Sequence, residues 1–590
     1  MANDLANCQD ISSKKYYLCT IMQRKINTTT LYGLIVLTIA VALSLPWLGL
    51  GHFYTRGEPR EALVAVEMMS QDNYILPDVQ GQIPYKPPML QWLVVLFSAV
   101  QGYVSEFTAR IPSAVASIFM TVAFFFFYAR RTSAKQSLFA SLILMTCFEV
   151  HRASMTCRVD MVLMAFTVGA IMAMQKWSEK GCKGWPILAS LLASGAILTK
   201  GPIGIILPSF ILFVYMLIIG ERFGKVIESK IKLSLPSLIL PALWYIAAYH
   251  QAGDEFLNLV IEENFSRFSG SMPYESHEHN AFYTIPLFLS GLLPFTLFLV
   301  FGLFTIKYNK VEASKPWIKA KWDAFRQMDK LRLFAIVAAV CIFVFFCIPK
   351  SKRSVYLLPM YPFVAIALAE YLLMLYEKHK KIISSYAAIL SLLAIIFSTG
   401  LIALQFIDAS SLGDSRSAQR MAMQLTEYQI MSADNRLWVC LFAILPGVAG
   451  IYYFAGKQPW IKWFGVFAPW CLMTLTLDAV INPALKNCVP DYEFAQSTKK
   501  IIGSNKLYFY CMSDPREEDI FTVNFYMDDN RFVRFEELST LPDEGYLIVR
   551  EGNLEKLHKL FADGDLQEEL KTPNTFSSFR GNMYIYKFEK

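Results

Sequence analysis

Charge is scarce in this 590-residue chain. Only 17% of its residues are charged, against about 25% in a soluble globular protein. With 55% hydrophobic residues and a mean hydropathy of +0.37, a water-soluble fold is excluded. No CxxC pair and no Cys/His spacing of metal-binding type occurs. The eleven cysteines are scattered, most of them in apolar runs where a thiol behaves as a small hydrophobe. Only Cys488 and Cys511, both in the last, polar part, are placed to pair if that part is extracytoplasmic. The polar, basic first thirty residues carry no cleavage-site pattern, so the first apolar helix reads as an uncleaved anchor. No two-fold internal repeat with helices broken near mid-membrane is visible, which argues against a transporter or flippase. The net charge of +7 reflects Lys and Arg on cytoplasmic loops and calls for no nucleic-acid partner.

Long apolar runs are what the chain has instead. They are long enough to cross a hydrocarbon core of about 30 Å, so the fold class is a polytopic α-helical membrane protein. Basic residues at 14, 15, 24 and 25 put the N-terminus in the cytoplasm. The run 89–103 is short and contains Gln91, Gln101 and Gly102. Taking it as interfacial or re-entrant keeps Arg130, Arg131 and Lys135 inside. About thirteen spans then alternate cleanly: 31–50, 108–128, 136–150, 159–176, 185–199, 202–220, 233–249, 283–306, 333–348, 355–376, 383–406, 437–455 and 463–481. Residues 1–482 form the membrane domain, with an outer loop at 51–88. Residues 483–590 form a small extracytoplasmic α/β domain. There the segments KLYFYCM, FVRF, GYLIVR and NMYIYKF read as strands and EGNLEKLHKLFADG as a helix.

The outer loop opens the stretch the rest is organised around, GEPREALVAVEMMSQDNYILPDVQGQIPYKPPMLQW (57–92). It begins with Glu58, Arg60 and Glu61 and nearly closes on Lys86-Pro87-Pro88. Glu58 directly precedes Pro59, a favoured first helical residue, so it sits at a helix start as cap or base. Glu61 and Glu67 read as polar positions on a short interfacial helix.

The topology leaves Lys86, Arg152, Arg158, Lys200, Arg267, Lys350, Lys352 and Arg353 at or near outer ends of spans. A charge at membrane depth costs about 2.5–3.5 kcal/mol even on a lenient scale. Snorkelling accounts for Arg152 or Lys352 singly. The set points to a shared anionic ligand at the outer surface, with a lipid phosphate the natural candidate. Asp160 follows Arg158 at a span start, where it serves as a structural ion pair or a site carboxylate. His277 and His279 flank Glu278 without an evident third ligand, so they read as solvated loop residues. Tyr356 lies at the mouth of a span as a belt residue.

In order, E-x-R, K-P-P, R-x-D, T-K-G, E-x-x-x-R-F and S-K-x-x-x-Y-x-L-P resemble the GT-C membrane glycosyltransferases. The likeness is greatest to the bacterial aminoarabinose lipid A transferases and their protein-mannosyltransferase relatives, and it covers essentially the whole chain. It implies an inverting transfer at the outer face from a polyprenyl-phosphate-linked sugar to lipid A, another glycan or a protein. By similarity Lys86, Arg267 and Tyr356 hold the lipid phosphate with Lys200 nearby, and Asp160 matches a second-loop carboxylate. Arg60, Tyr85, Arg158 and Lys352 are further candidates. These families carry an acidic pair in the first loop. Here Gly57 stands at the first acid, leaving Glu58 as the catalytic candidate or an acceptor acidic enough to need no base. Tyr85 stands where relatives have a glutamate before the K-P-P lysine, so no metal is expected, nor any other cofactor.

Overall fold

The computed structural model describes residues 27–589 apart from 56, 80, 264–277, 304–314, 414, 511–519, 529–530, 536–537, 562–564 and 573–581. The N-terminal basic residues, Arg267, His277 and Cys511 therefore lie outside the described residues. Cys488 is a half-buried free thiol.

Among the described residues nine helices are long and apolar enough to cross a membrane, so the chain is a multi-pass membrane protein. They are Thr28–Trp47, Glu106–Ala129, Val159–Glu179, Phe223–Ile261, Lys330–Cys347, Ser354–Lys378, Lys380–Leu404, Arg436–Ala455 and Ile461–Asn487. A tenth crossing is formed if Ala281–Gly291 and Thr296–Gly302 count as one span bent by 103°. The bend falls beside Pro294, whose ring nitrogen has no N–H to continue the ladder. The other three expected crossings, Ala134–Thr146, Ile187–Lys200 and Ile203–Ile218, have 13, 14 and 16 residues. At 1.5 Å per residue they reach about 20–24 Å, short of a full hydrocarbon core. By length, then, nine or ten of the thirteen expected spans are matched among the described residues.

Met89–Ser98 has ten residues, about 15 Å of helix, too short to cross. This agrees with the reading of 89–103 as a segment that does not span. The expected side of the Arg130 loop has a direct test: a cysteine at Thr132 should be labelled only from the cytoplasmic side of the membrane. Labelling from outside would overturn the orientation.

The hairpin between Ile187–Lys200 and Ile203–Ile218 sets one site residue. Gly201 has φ +76°, a left-handed conformation that glycine adopts without strain. A Cβ on Gly204 would lie 2.4 Å from the backbone of Ala196 and Ile197, so only glycine lets the two helices approach this closely. Lys200 is thereby held at the last turn of its helix.

The C-terminal part folds as a five-stranded sheet in the order β2-β1-β3-β5-β4. The strands are β1 (Leu507–Tyr510), β2 (Val533–Phe535), β3 (Glu544–Arg550), β4 (Leu566–Lys571) and β5 (Met583–Glu589). β1 pairs in parallel with β2 and β3, while β5 is antiparallel to β3 and β4. Four strands and the helix Leu554–Leu560 fall on the segments read from sequence. β4, with the sequence LQEELK, was not anticipated. It is an edge strand whose central residues are exposed, and charged side chains guard such edges against further pairing.

One apolar cluster joins this domain to the bundle. Phe494, Phe521, Phe525, Tyr526 and Ile548 pack in it with Phe53, Leu63, Leu90, Val94, Ala109 and Val162. The helix Gly57–Ser70 is caught between the two, and ten of its residues are buried. This corrects the reading of Glu61 and Glu67 as polar positions on an interfacial helix. Both are buried: Glu61 lies under Lys86 and Gln91 of the same outer segment, and Glu67 lies against the C-terminal domain. Glu67 is paired with Arg531 of that domain at 2.7 Å.

Candidate functional site

The loop after the first span is held by a cation that the sequence reading passed over. Arg110, 1% exposed on the helix Glu106–Ala129, donates from Nε to Glu58 Oε1 (2.8 Å). Its Nη1 donates to the carbonyls of Leu48 (2.7 Å) and Gly51 (2.6 Å), and its Nη2 to that of His52 (3.1 Å). Glu58 Oε1 also accepts from the Cys157 N–H at 3.1 Å. Burial alone would raise the Glu58 pKa, but Arg110 outweighs it and holds the carboxyl below its ordinary value. With Arg110 and a backbone amide on it, Glu58 fixes the start of its helix and faces neither of the cavities described next. The carboxylate expected there as cap or base is held by Arg110 and by the Cys157 N–H.

Three residues later, Glu61 carries the polar network. It accepts from Lys86 Nζ, from Gln91 Nε2 (2.8 Å) and from Arg60 Nη2 (3.3 Å). Burial raises its pKa, and Lys86 and Arg60 pull it below 4.5. Tyr85 stands beside the same cations, with Lys86 Nζ 5.4 Å and Arg60 Cζ 5.9 Å from its ring centre. They bring its phenol below its ordinary value against the upward push of burial.

A second pair faces this one. Lys200 Nζ donates to Asp160 Oδ1 at 2.5 Å and lies 4.7 Å from the Tyr356 ring centre. Lys86, Asp160, Lys200, Tyr356 and the buried Glu263 all line one cavity of about 420 Å³, whose remaining wall is largely apolar (Leu163, Ile203, Ile206, Phe345, Phe346). A second, more polar cavity of about 310 Å³ lies on the other side of Tyr85 and Lys86, which line both. Arg60, Glu61, Glu255, Phe521 and Arg534 belong to this second one. A largely apolar chamber that also carries Lys86 and Lys200 is suited to a lipid chain with an anionic head.

The other sequence candidates fall elsewhere. The Arg158 guanidinium sits over Gly57, where a Cβ at position 57 would lie 2.6 Å from its Nη2. The room an acidic side chain would need is thus filled by a cation. Lys352 donates to the carbonyls of Phe346 (3.1 Å), Cys347 (2.8 Å) and Pro349, so it satisfies the open end of the preceding helix and lines neither cavity. Arg152 is paired with Glu149 at 2.5 Å. His279 stacks on Tyr283 (3.9 Å between ring centres). Glu61, Glu263 and Arg534 were missed as site residues. Glu263 could have been found, since it stands in the E-x-x-x-R-F motif. The other two depend on pairings between distant parts of the chain.

The depressed carboxyls have a pH consequence. A group whose pKa is lowered on folding adds stability that is present above its unfolded value and lost as pH falls through its folded value. Thermal unfolding of the purified protein should therefore be flat from pH 8 to about 5. Stability should fall only in stronger acid, and Glu61→Gln should weaken that acid limb.

Known proteins share the fold and part of the sequence. The family model described as dolichyl-phosphate-mannose-protein mannosyltransferase matches residues 85–246. An undecaprenyl phosphate-alpha-4-amino-4-deoxy-L-arabinose arabinosyl transferase of Shewanella sediminis is 26% identical over 59% of this chain and 61% of its own length. One from Proteus mirabilis is 25% identical over 53% of this chain and 54% of its own. The chain thus spans somewhat more than half the length of these named relatives. An uncharacterized protein of Aquifex aeolicus is 25% identical over 81% of this chain and 84% of its own. The crystal structure of ArnT from Cupriavidus metallidurans bound to undecaprenyl phosphate has the same fold, with TM-score 0.66 at 19% identity over 94% of this chain and 97% of that one. Its apo state matches with TM-score 0.67. A family model on the segment that carries Tyr85, Lys86 and Asp160, relatives at about a quarter identity and a fold shared along nearly the whole length agree: the chain has the fold of the ArnT membrane protein and is similar in sequence to the membrane glycosyltransferases named above.

Proposed function

We propose that the protein moves a sugar from a polyprenyl-phosphate donor to an acceptor of the cell envelope, lipid A or another glycolipid, with inversion at the anomeric carbon. Catalysis takes place at the outer face of the cytoplasmic membrane. The observation that carries this reading is Lys86, which stands in the wall between a largely apolar cavity and a more polar one. The first matches the head-group end of a polyprenyl chain in polarity, and the phosphate there meets Lys86 and Lys200. Tyr356 lines the same chamber, and Arg267 joins the clamp by the likeness of its motif. The names of the curated relatives and the undecaprenyl phosphate bound by the ArnT structure support a donor of this class.

The chemistry is a displacement at the anomeric carbon. The bond from that carbon to the donor phosphate breaks, and its electron pair leaves with the phosphate, where Lys86 and Lys200 stabilise the growing charge. An acceptor oxygen forms the new bond from the opposite side. Glu61 and Asp160 hold the two ammonium groups in place, so each carboxylate acts through a lysine. Glu58, bound to Arg110, positions the loop. With the carboxylates so engaged, the favoured acceptor is an oxygen already ionised, such as that of a phosphate, which needs no base. A protein hydroxyl is the second reading. The mannosyltransferase family model favours it, but it requires a proton acceptor at the site. Mass spectrometry of envelope lipids and glycoproteins from cells with and without the protein tests both. A missing glycosylated lipid supports the first reading, and a missing protein glycoform alone replaces it with the second.

A further inference from the structure

The two substrates must reach the anomeric carbon from opposite sides, because inversion brings the acceptor in opposite the leaving group. With the donor phosphate on the Lys86 and Lys200 side, the acceptor enters from the polar cavity. The far wall of that cavity is not part of the membrane bundle. It comes from the C-terminal domain, with Phe521 at the start of the helix Phe521–Tyr526 and Arg534 in the middle of β2.

This wall is fixed in place. Arg531 is paired with Glu67 at 2.7 Å. At the other end of the helix the Tyr526 hydroxyl donates to Glu106 (2.7 Å) and accepts from the Phe53 N–H (2.9 Å). His52 approaches the same Glu106 oxygen at 3.1 Å and stacks on Tyr492 with ring centres 4.1 Å apart. The domain is thus tied on both flanks of the cavity to the loop that carries Glu58 and Glu61.

We infer that the C-terminal domain builds the acceptor subsite, and that the polar cavity takes the phosphate-bearing sugar head of a membrane glycolipid. Arg534 holds its phosphate. The guanidinium fork matches phosphate geometry. Glu255 in the same cavity accepts from a sugar hydroxyl or amine, and Phe521 offers an apolar face to the ring. The inference rests on the donor and acceptor reading above and adds to it the part of the chain that recognises the acceptor.

The test uses the full-length protein in nanodiscs. Binding of undecaprenyl phosphate, of bisphosphorylated lipid A and of lipid A stripped of its phosphates is measured separately, alongside transfer kinetics. Arg534→Gln should raise the acceptor KM, and weaken phosphorylated lipid A binding, at least tenfold. It should leave kcat within twofold and undecaprenyl phosphate affinity unchanged. Arg534→Lys should recover part of the loss. Stripped lipid A should bind the wild type about as weakly as phosphorylated lipid A binds Arg534→Gln. An unchanged acceptor KM in Arg534→Gln overturns the subsite. So does an equal loss of lipid A and undecaprenyl phosphate binding, which marks a structural effect. A wild type that fails to bind undecaprenyl phosphate sinks the donor reading itself, and this inference with it.

Discussion

Lys86→Ala should lower transfer by at least about a hundredfold while the protein inserts and folds as before. A fixed cation against the charge that develops as a bond breaks is worth about 10²–10³ in rate where single donors of this kind have been removed. Lys86 combines three features that make it the largest single contributor. It borders both cavities, it is held by Glu61, and the K-P-P segment leaves little backbone freedom around it. Lys86→Arg keeps the charge but changes its reach, so partial activity is expected. Lys350, exposed and outside both cavities, serves as the control, and Lys350→Ala should transfer normally. The measurement is transfer from a polyprenyl-phosphate sugar in membranes normalised to inserted protein. Full activity in Lys86→Ala would remove the phosphate clamp from the mechanism.

Arg110→Ala should be the most destabilising single substitution near the site. The Arg110–Glu58 pair is 1% exposed on both sides. Removing one partner of such a pair leaves a buried charge without compensation, at about 3–5 kcal/mol. Three carbonyls of the loop at Leu48, Gly51 and His52 lose their donor as well. Unfolding in detergent followed by intrinsic fluorescence should show the loss. The double variant Glu58→Gln with Arg110→Met should fall less than Arg110→Met alone, because no unpaired carboxylate is then left in the interior. Equal losses would show that the carbonyl bonds, and not the ion pair, carry the stability.

Much of the fold was legible before the structure. Apolar runs are read by length alone, and Arg130 with Arg131 decided that 89–103 does not cross. The strands at 507–510 and 583–589 announce themselves by alternating aromatic and β-branched residues. The edge strand β4 did not, because an edge strand tolerates the charged residues of a helix surface. Among the described residues nine or ten of the thirteen expected crossings have the length of full spans, and the others are short apolar helices, since hydropathy does not measure helix length or straightness.

The site was legible in part. Lys86, Asp160, Lys200 and Tyr356 share one chamber. Their types and membrane depth already set them apart, because a charge so placed must have a reason. Glu58 was singled out for its helix start, and Glu61 was passed over. The difference lies in partners 52 and 25 residues away, Arg110 and Lys86, which no local pattern predicts.

The sequence by itself determined the class of molecule, the positions of the apolar helices and the cations that have no place in a plain bundle. These follow from transfer free energies, which are properties of single residues and short windows. Only the tertiary structure decided which carboxylate meets which cation, that Arg158 fills the space beside Gly57, and that the C-terminal domain closes a cavity with Arg534. Such facts depend on the spatial meeting of distant segments, and the energy of a buried charge is set by what surrounds it and not by its neighbours in the chain.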